Sequence, residues 1–244
     1  MGRLVAFSAV CLALLAVSCG DDRQSLYSAA SNGELKKVQE LLAHGADINR
    51  LDAGGFTPLH ASIIHQHPQV VRYLVDHGAD VNAPGIYGVA PLHVATDTDT
   101  IRLLLDKGAR VDAWSKTRGT PLHAAANDSS EQAVRLLIAH GAPLDAGDVG
   151  GSTALHIAAG KGRRAIVAVL IASGANVDAA NDSNFTPLHW AAGNGHGDVV
   201  ALLIDAGADR TRRSSDGATP HDLALTKGHA EVARMLEIRI PDPS

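Results

Sequence analysis

Thiols are nearly absent from this chain of 244 residues: its two cysteines, Cys11 and Cys19, both lie in the first 19 positions. The rest of the chain therefore has no means of building a disulfide framework, a thiolate zinc site or a cysteine nucleophile. Aromatic residues are scarce at 3%, while alanine, leucine and valine abound, a composition that suits thin aliphatic layers better than one deep core. Positive charge is also short. The formal net charge is −5 and no segment presents a basic stripe; Arg210, Arg212 and Arg213 cluster, as do Lys161, Arg163 and Arg164, but such small groups read as solvated surface, with an anionic patch on a partner as the alternative, and nucleic acid is not the expected partner. There is no glycine-rich phosphate loop, nucleophile elbow or zinc-helix motif, which lowers the weight of an enzyme and calls for no cofactor.

What the chain does have is one short phrase repeated. Thr57-Pro58-Leu59-His60 is followed by Ala90-Pro91-Leu92-His93, Thr120-Pro121-Leu122-His123, Thr153-Ala154-Leu155-His156, Thr186-Pro187-Leu188-His189 and the altered Thr219-Pro220-His221-Asp222. The steps are 33, 30, 33, 33 and 33 residues, a period that marks a solenoid. Thr is a good helix N-cap, and Pro at the first helical position gives up only an N–H that is unpaired anyway, so each phrase begins a helix. Eighteen residues after the His stands a Gly, as at Gly78, Gly141, Gly174 and Gly207, preceded by apolar residues at helical spacing such as Val70, Val71, Leu74 and Val75. This Gly ends a second helix in the left-handed conformation. Gly-Ala-Asp-Val-Asn at 78–82 and Gly-Ala-Asn-Val-Asp at 174–178 then lead into turn-rich stretches.

The two phrases at this offset resemble the ankyrin repeat family over roughly residues 24–240. The resemblance implies an all-α repeat solenoid, a stack of helix-turn-helix units each carrying a β-hairpin finger. Seven units, caps included, are expected to start near 24, 57, 90, 120, 153, 186 and 219. The first replaces the phrase with Gln24-Ser25-Leu26-Tyr27 and carries polar Glu34, Lys36, Lys37, Gln39 and Glu40, as befits a water-facing cap. The unit at Ala90 is three residues short, with the gap placed at Thr96–Thr100, so a trimmed helix or turn, and a bend or opening of the stack, is expected there. In the next finger Arg118 takes the usual turn-Gly position, with Gly119 one place later.

The first residues read differently. Arg3 precedes an uncharged, mostly apolar run from Leu4 to Val17, then Ser18, Cys19 and Gly20, the layout of a secretory signal peptide. Leu15-Ala16-Val17-Ser18-Cys19 resembles the bacterial lipobox, which implies cleavage before Cys19, lipidation of that Cys, a tether at 19–23 and a tail at 241–244. The expected location is a bacterial membrane facing the periplasm, with a soluble periplasmic or secreted form as the alternative. Removing residues 1–18 takes one base and leaves 20 Lys plus Arg against 26 Asp plus Glu.

Thirteen His residues raise the question of metal or acid-base chemistry. Five belong to the repeated phrase, where the family resemblance puts them in hydrogen bonds between units. His65 and His67 are the leftover pair for a metal, without a third ligand at suitable spacing. The expected activity is therefore non-enzymatic protein binding by a monomeric scaffold that modulates a periplasmic partner. An envelope enzyme or metal binder using non-repeat His and Asp residues is the alternative. The resemblance implies contacts at finger tips, here Ile86, Tyr87, Val89, Trp114, Lys116, Thr117, Arg118, Asp148, Val149, Asp182 and Ser183, with the centre at 86–118. Phe56 and Phe185 are expected to pack locally, and Trp190 and Tyr73 to be core.

Overall fold

The computed structural model describes residues 25–128 and 130–237; the signal segment 1–18, Cys19, the tether 19–23 and the tail 241–244 lie outside the described residues. Thirteen α-helices occur among the described residues, and the fold divides into two compact units, Met1–Val94 and Ala95–Ser244.

In the first unit, α1 (Leu26–Ser31) and α2 (Leu35–Ala43) form one pair and α3 (Pro58–Ile64) and α4 (Pro68–Asp76) the next, with α1 against α3 and α2 against α4. Ser25 caps α1 by accepting from Ser28 N–H at 3.1 Å. The short repeat closes this unit. Its lost residues fall on the first helix of the pair, for Pro91–His93 is a single 3₁₀ turn, while the second helix, α5 (Thr98–Asp106), keeps nine residues and is capped by Asp97.

The second unit continues with α5, then the pairs α6 (Pro121–Asp128) and α7 (Glu131–Ala139), α8 (Ala154–Gly160) and α9 (Arg164–Ala172), α10 (Pro187–Gly193) and α11 (Gly197–Asp205), and α12 (Pro220–Thr226) and α13 (Ala230–Leu236). First helices stack on first helices from α6 to α12, and second helices on second helices from α5 to α13. The core is a ladder: Leu122, Leu155 and Leu188, one per repeat at the same register, are fully buried, as are Leu137, Leu170 and Leu203 on the second helices. Small residues beside them, such as Ala158, Ala159, Ala191 and Ala192, let the helices approach closely.

The fingers fold back as hairpins, yet no strand forms among the described residues and a lone antiparallel bridge, Ser115 to Gly119, is the whole of the sheet character. Each finger is too short for a ladder and is spanned by a backbone bond, such as Asp52 N–H to the Phe56 carbonyl or Gly85 N–H to the Val89 carbonyl, and in four of them a side-chain acceptor adds to it. Asp52 takes Phe56 N–H, Asp148 takes Gly150 and Ser152 N–H, Asn181 takes Ser183 and Phe185 N–H, and Ser214 takes Ala218 N–H. The turn needs positive φ at its end, met by Gly55, Gly151 and Gly217, and by Asn184 at φ 55°. In the Arg118 finger this Gly stands one place later, at Gly119, and both backbone bonds of the closing pair form there, which makes the bridge; Ser115 Oγ accepts from Thr117 and Arg118 N–H inside it.

Candidate binding surface

The repeated His residues are structural wires. In each of four repeats the Nε2–H donates to a carbonyl 29 residues on, one repeat away: His60 to Val89 at 2.8 Å, His123 to Ser152 at 2.8 Å, His156 to Phe185 at 2.9 Å and His189 to Ala218 at 3.2 Å. A carbonyl only accepts, so the proton sits on Nε2 and Nδ1 is left to accept from the backbone N–H of the capping Thr, at 3.1 Å in Thr153 and Thr186. The expected Thr cap is thus completed by the ring. Burial pushes His60 and His156 down to about 4, and lowers His123 and His189 as well, which keeps these rings neutral. The last phrase substitutes Asp222, whose carboxylate takes Thr219 N–H at 2.9 Å.

A second set of His has an inter-repeat role that the sequence reading did not assign. His67 and His196, at the starts of second helices, donate Nε2–H to Ser31 and Gly160 carbonyls of the preceding repeat at 2.9 and 3.0 Å. The ring needs a Gly opposite: a Cβ on Gly33, Gly162 or Gly195 would meet Nδ1 of His67, His196 or His229 at 2.6 Å. The pair of glycine and histidine 34 residues apart was the available signal. Gly162→Ala should therefore destabilise the protein by about 1–3 kcal/mol, through a φ of +67° as well as the clash. His196→Ala should recover the steric share in the double variant, and a denaturation cycle that shows simple additivity would contradict this packing. With His67 so engaged, the proposed metal pair His65 and His67 is not a free pair, and no cluster of three or more His, Cys, Asp or Glu suited to a metal occurs among the described residues. Burial and then the neighbouring His67 depress His65. His44, His77 and His140 bond back to their own helices, on the Glu40, Tyr73 and Leu136 carbonyls.

The finger residues sort by exposure. In the first unit Tyr87 is exposed, at the strained φ of 59°, and Ile86 is half-buried against Gly55. Val89 corrects the sequence reading, since its side chain is buried and its carbonyl holds His60. Asp148 is a second, partial correction: its Oδ1 accepts both N–H groups that close its own finger, and the residue is half-buried. Tyr73 is a third: it is half-buried, stacked on exposed His77 at 3.8 Å rather than in the core. Trp190 is half-buried beside His156, with Gly160 making room for its ring. Phe56 and Phe185 do pack locally, against His60 and His189.

In the second unit Trp114 is 47% exposed and Val149 73% exposed. The indole N–H donates to the Gly147 carbonyl at 3.3 Å, so the ring is laid across the adjacent finger and held there. Gly147 is the residue in register with Trp114 one repeat on, and having no side chain it leaves its carbonyl open to the indole. Lys116, Thr117, Asp182 and Ser183 are exposed, and Arg118 is half-buried.

Similarity to known proteins agrees with this architecture. The family model "Ankyrin repeats (3 copies)" matches residues 7–85, 26–115, 92–181 and 176–241. The chain belongs to the ankyrin repeat family. Among solved structures, the ankyrin repeat domain of human ASB11 superposes with a TM-score of 0.79 at 28% identity, covering 88% of this chain and 98% of that one. The ankyrin repeat domain of Bcl-3 gives 0.71 at 30% identity, covering 86% and 97%. Curated relatives share shorter stretches: "Palmitoyltransferase AKR1" of Saccharomyces cerevisiae is 42% identical over 71 residues, and "Protein phosphatase 1 regulatory subunit 27" of Homo sapiens 39% over 49 residues. Those stretches are 28% and 20% of this chain, and only 9% and 32% of the respective relatives. An ankyrin repeat stack is a protein-interaction scaffold, and this one offers a row of finger tips with an anchored aromatic among them.

Proposed function

We propose that this ankyrin protein is a non-catalytic scaffold of a bacterial envelope that binds and modulates a periplasmic or membrane-proximal protein. The observation that carries the binding reading is Trp114, an exposed indole fixed in place by the Gly147 carbonyl of the adjacent finger, in which Val149 is exposed too. Aromatic anchors of this kind dominate interface energetics, and one already held in its position loses little freedom on binding. The envelope reading rests on the charged, apolar and small-residue order of 3–19 and on Cys19 as lipid acceptor. A regulatory subunit among the short curated relatives is in keeping with a modulating role.

The test is mild crosslinking in native membranes, followed by mass spectrometry of co-purifying proteins, with a Trp114→Ala, Tyr87→Ala double variant alongside. One near-stoichiometric partner, reduced about tenfold or more in the double variant, is the expected result. A partner retained in full by a folded variant would place binding elsewhere. Cys19→Ala should in addition shift the protein from the membrane to the soluble fraction. If it stays in the membrane pellet, lipidation at that residue is wrong.

A further inference from the structure

Neighbouring repeats are tied along their loops and fingers by three hydrogen bonds that recur with the period. The first is the His-to-carbonyl bond described above. In the second, an Asn or Asp shortly before a finger accepts the backbone N–H 31 residues on: Asn49 from Asp80, Asp145 from Asn176 and Asp178 from Asp209, each at 2.9 Å. In the third, a backbone N–H near one finger tip donates to a carbonyl of the preceding finger: Ile86 to Gly55 at 2.8 Å, Asp182 to Gly150 at 3.0 Å and Ser215 to Ser183 at 3.0 Å. All three ties are present where finger 52–56 meets 85–89, where 148–152 meets 181–185 and where 181–185 meets 214–218.

The junction of finger 115–119 with finger 148–152, inside the second unit, keeps only the first, from His123 to Ser152. The residue 31 places after Asp112 is Pro143, which has no N–H to give. Asp112 pairs instead with Arg110 of its own loop at 3.3 Å. Pro143 also lacks the side-chain oxygen by which Asp80, Asn176 and Asp209 hold the N–H two residues on. Val149 occupies the donor place of the third tie, and its N–H has no partner among the described residues. What spans the gap is the Trp114 indole on the Gly147 carbonyl, a single bond of 3.3 Å, just beyond the usual length, from a ring that water reaches. Behind it α6 packs on α8 and α7 on α9, as in the repeats that follow.

We propose that the second unit parts along this line, the fingers 115–119 and 148–152 opening from one another on intact helix layers, with Trp114 as the latch that closes them. Each interface of a repeat stack is carried by its own bonds, so the one with the fewest opens at the lowest free energy. A finger pinned to its neighbour must part from it before its own turn bonds reach water, whereas these two are released once the indole lifts off Gly147. No partner is needed for this motion.

Hydrogen exchange of the full-length protein, read by mass spectrometry, tests the latch. After correction for intrinsic rates, the hydrogen-bonded amides of fingers 115–119 and 148–152 should exchange about tenfold faster than those of 181–185. Trp114→Phe keeps a ring but removes the donor, and should speed 115–119 and 148–152 by a further factor of about five while leaving 181–185 and 214–218 unchanged. Pro143→Asp supplies both missing groups, an N–H for Asp112 and a carboxylate for Asp145 N–H, and should slow both fingers towards the rate of 181–185. Equal exchange in the three fingers of the parent, a Trp114→Phe effect spread over all of them, or no slowing in Pro143→Asp overturns the proposal.

Discussion

Acidification from pH 7 to 4.5 is expected to remove several kcal/mol of folding stability, through histidines whose titration begins above the carboxylate range. His60 and His156 are fully buried, and burial holds both down to about 4, while His123 and His189 are lowered by the same cause. In the unfolded chain these rings take up protons near pH 6.5. Between about 6.5 and 4 the unfolded state thus binds more protons than the folded one, and stability rises with pH across that interval. The contribution is complete above about 6.5, declines as pH falls, and is exhausted below about 4. A displacement of that size amounts to roughly 3 kcal/mol for each of His60 and His156. The geometry gives the reason: a second proton would go on Nδ1, against the Thr N–H that now donates to it. Asp209 and Asp222 are held below the usual carboxylate range by hydrogen bonds from Thr211 and Thr219, and their loss belongs to a lower pH. Urea denaturation at pH 7, 6, 5 and 4.5 reads the slope directly. His156→Gln should shallow it by about one ring's share, and a profile flat from 7 to 4.5 would falsify the neutral, buried assignment.

The periodic part of this fold was legible because each repeat must present the same groups to its neighbours. Thr-Pro-Leu-His encodes a helix start, a core Leu and an inter-repeat donor in four residues, and the first helices begin at Pro58, Pro121, Ala154, Pro187 and Pro220. The deletion was legible too, though not its location. The turn-to-turn spacing reveals three missing residues, but whether the first or the second helix gives way depends on packing. The second helix retains its buried Ile101 and Leu104, so the loss falls on the first, which shrinks to Pro91–His93.

The surface was less legible, because sequence register does not say which way a side chain turns. Val89 and Asp148 sit in finger segments and look available. The structure buries one, whose finger closes through backbone bonds alone, and draws one oxygen of the other into its turn, where it accepts two backbone N–H groups. Trp114 was conspicuous as an aromatic in a polar position, but its fixing depends on Gly147, 33 residues away, and becomes visible only when the two fingers are set side by side.

Leu155→Ala should cost about 2–5 kcal/mol, whereas Leu225→Ala should change stability by no more than about 0.5 kcal/mol. Leu155 is fully buried on α8, with α6 on one side and α10 on the other, while Leu225 on α12 is 55% exposed. The difference is more than one of area. A repeat stack is held by interfaces between nearest neighbours, so a cavity under α8 weakens two of them at once and separates the α6–α7 pair energetically from α10–α13. The variant should therefore broaden or split its thermal transition as well as lower it. If its transition instead stays as sharp as the parent's with a cost below about 1 kcal/mol, the Leu122, Leu155 and Leu188 ladder does not couple these repeats. That outcome would leave the His-to-carbonyl bonds as the principal tie between them, and the pH dependence would then have to be correspondingly steep.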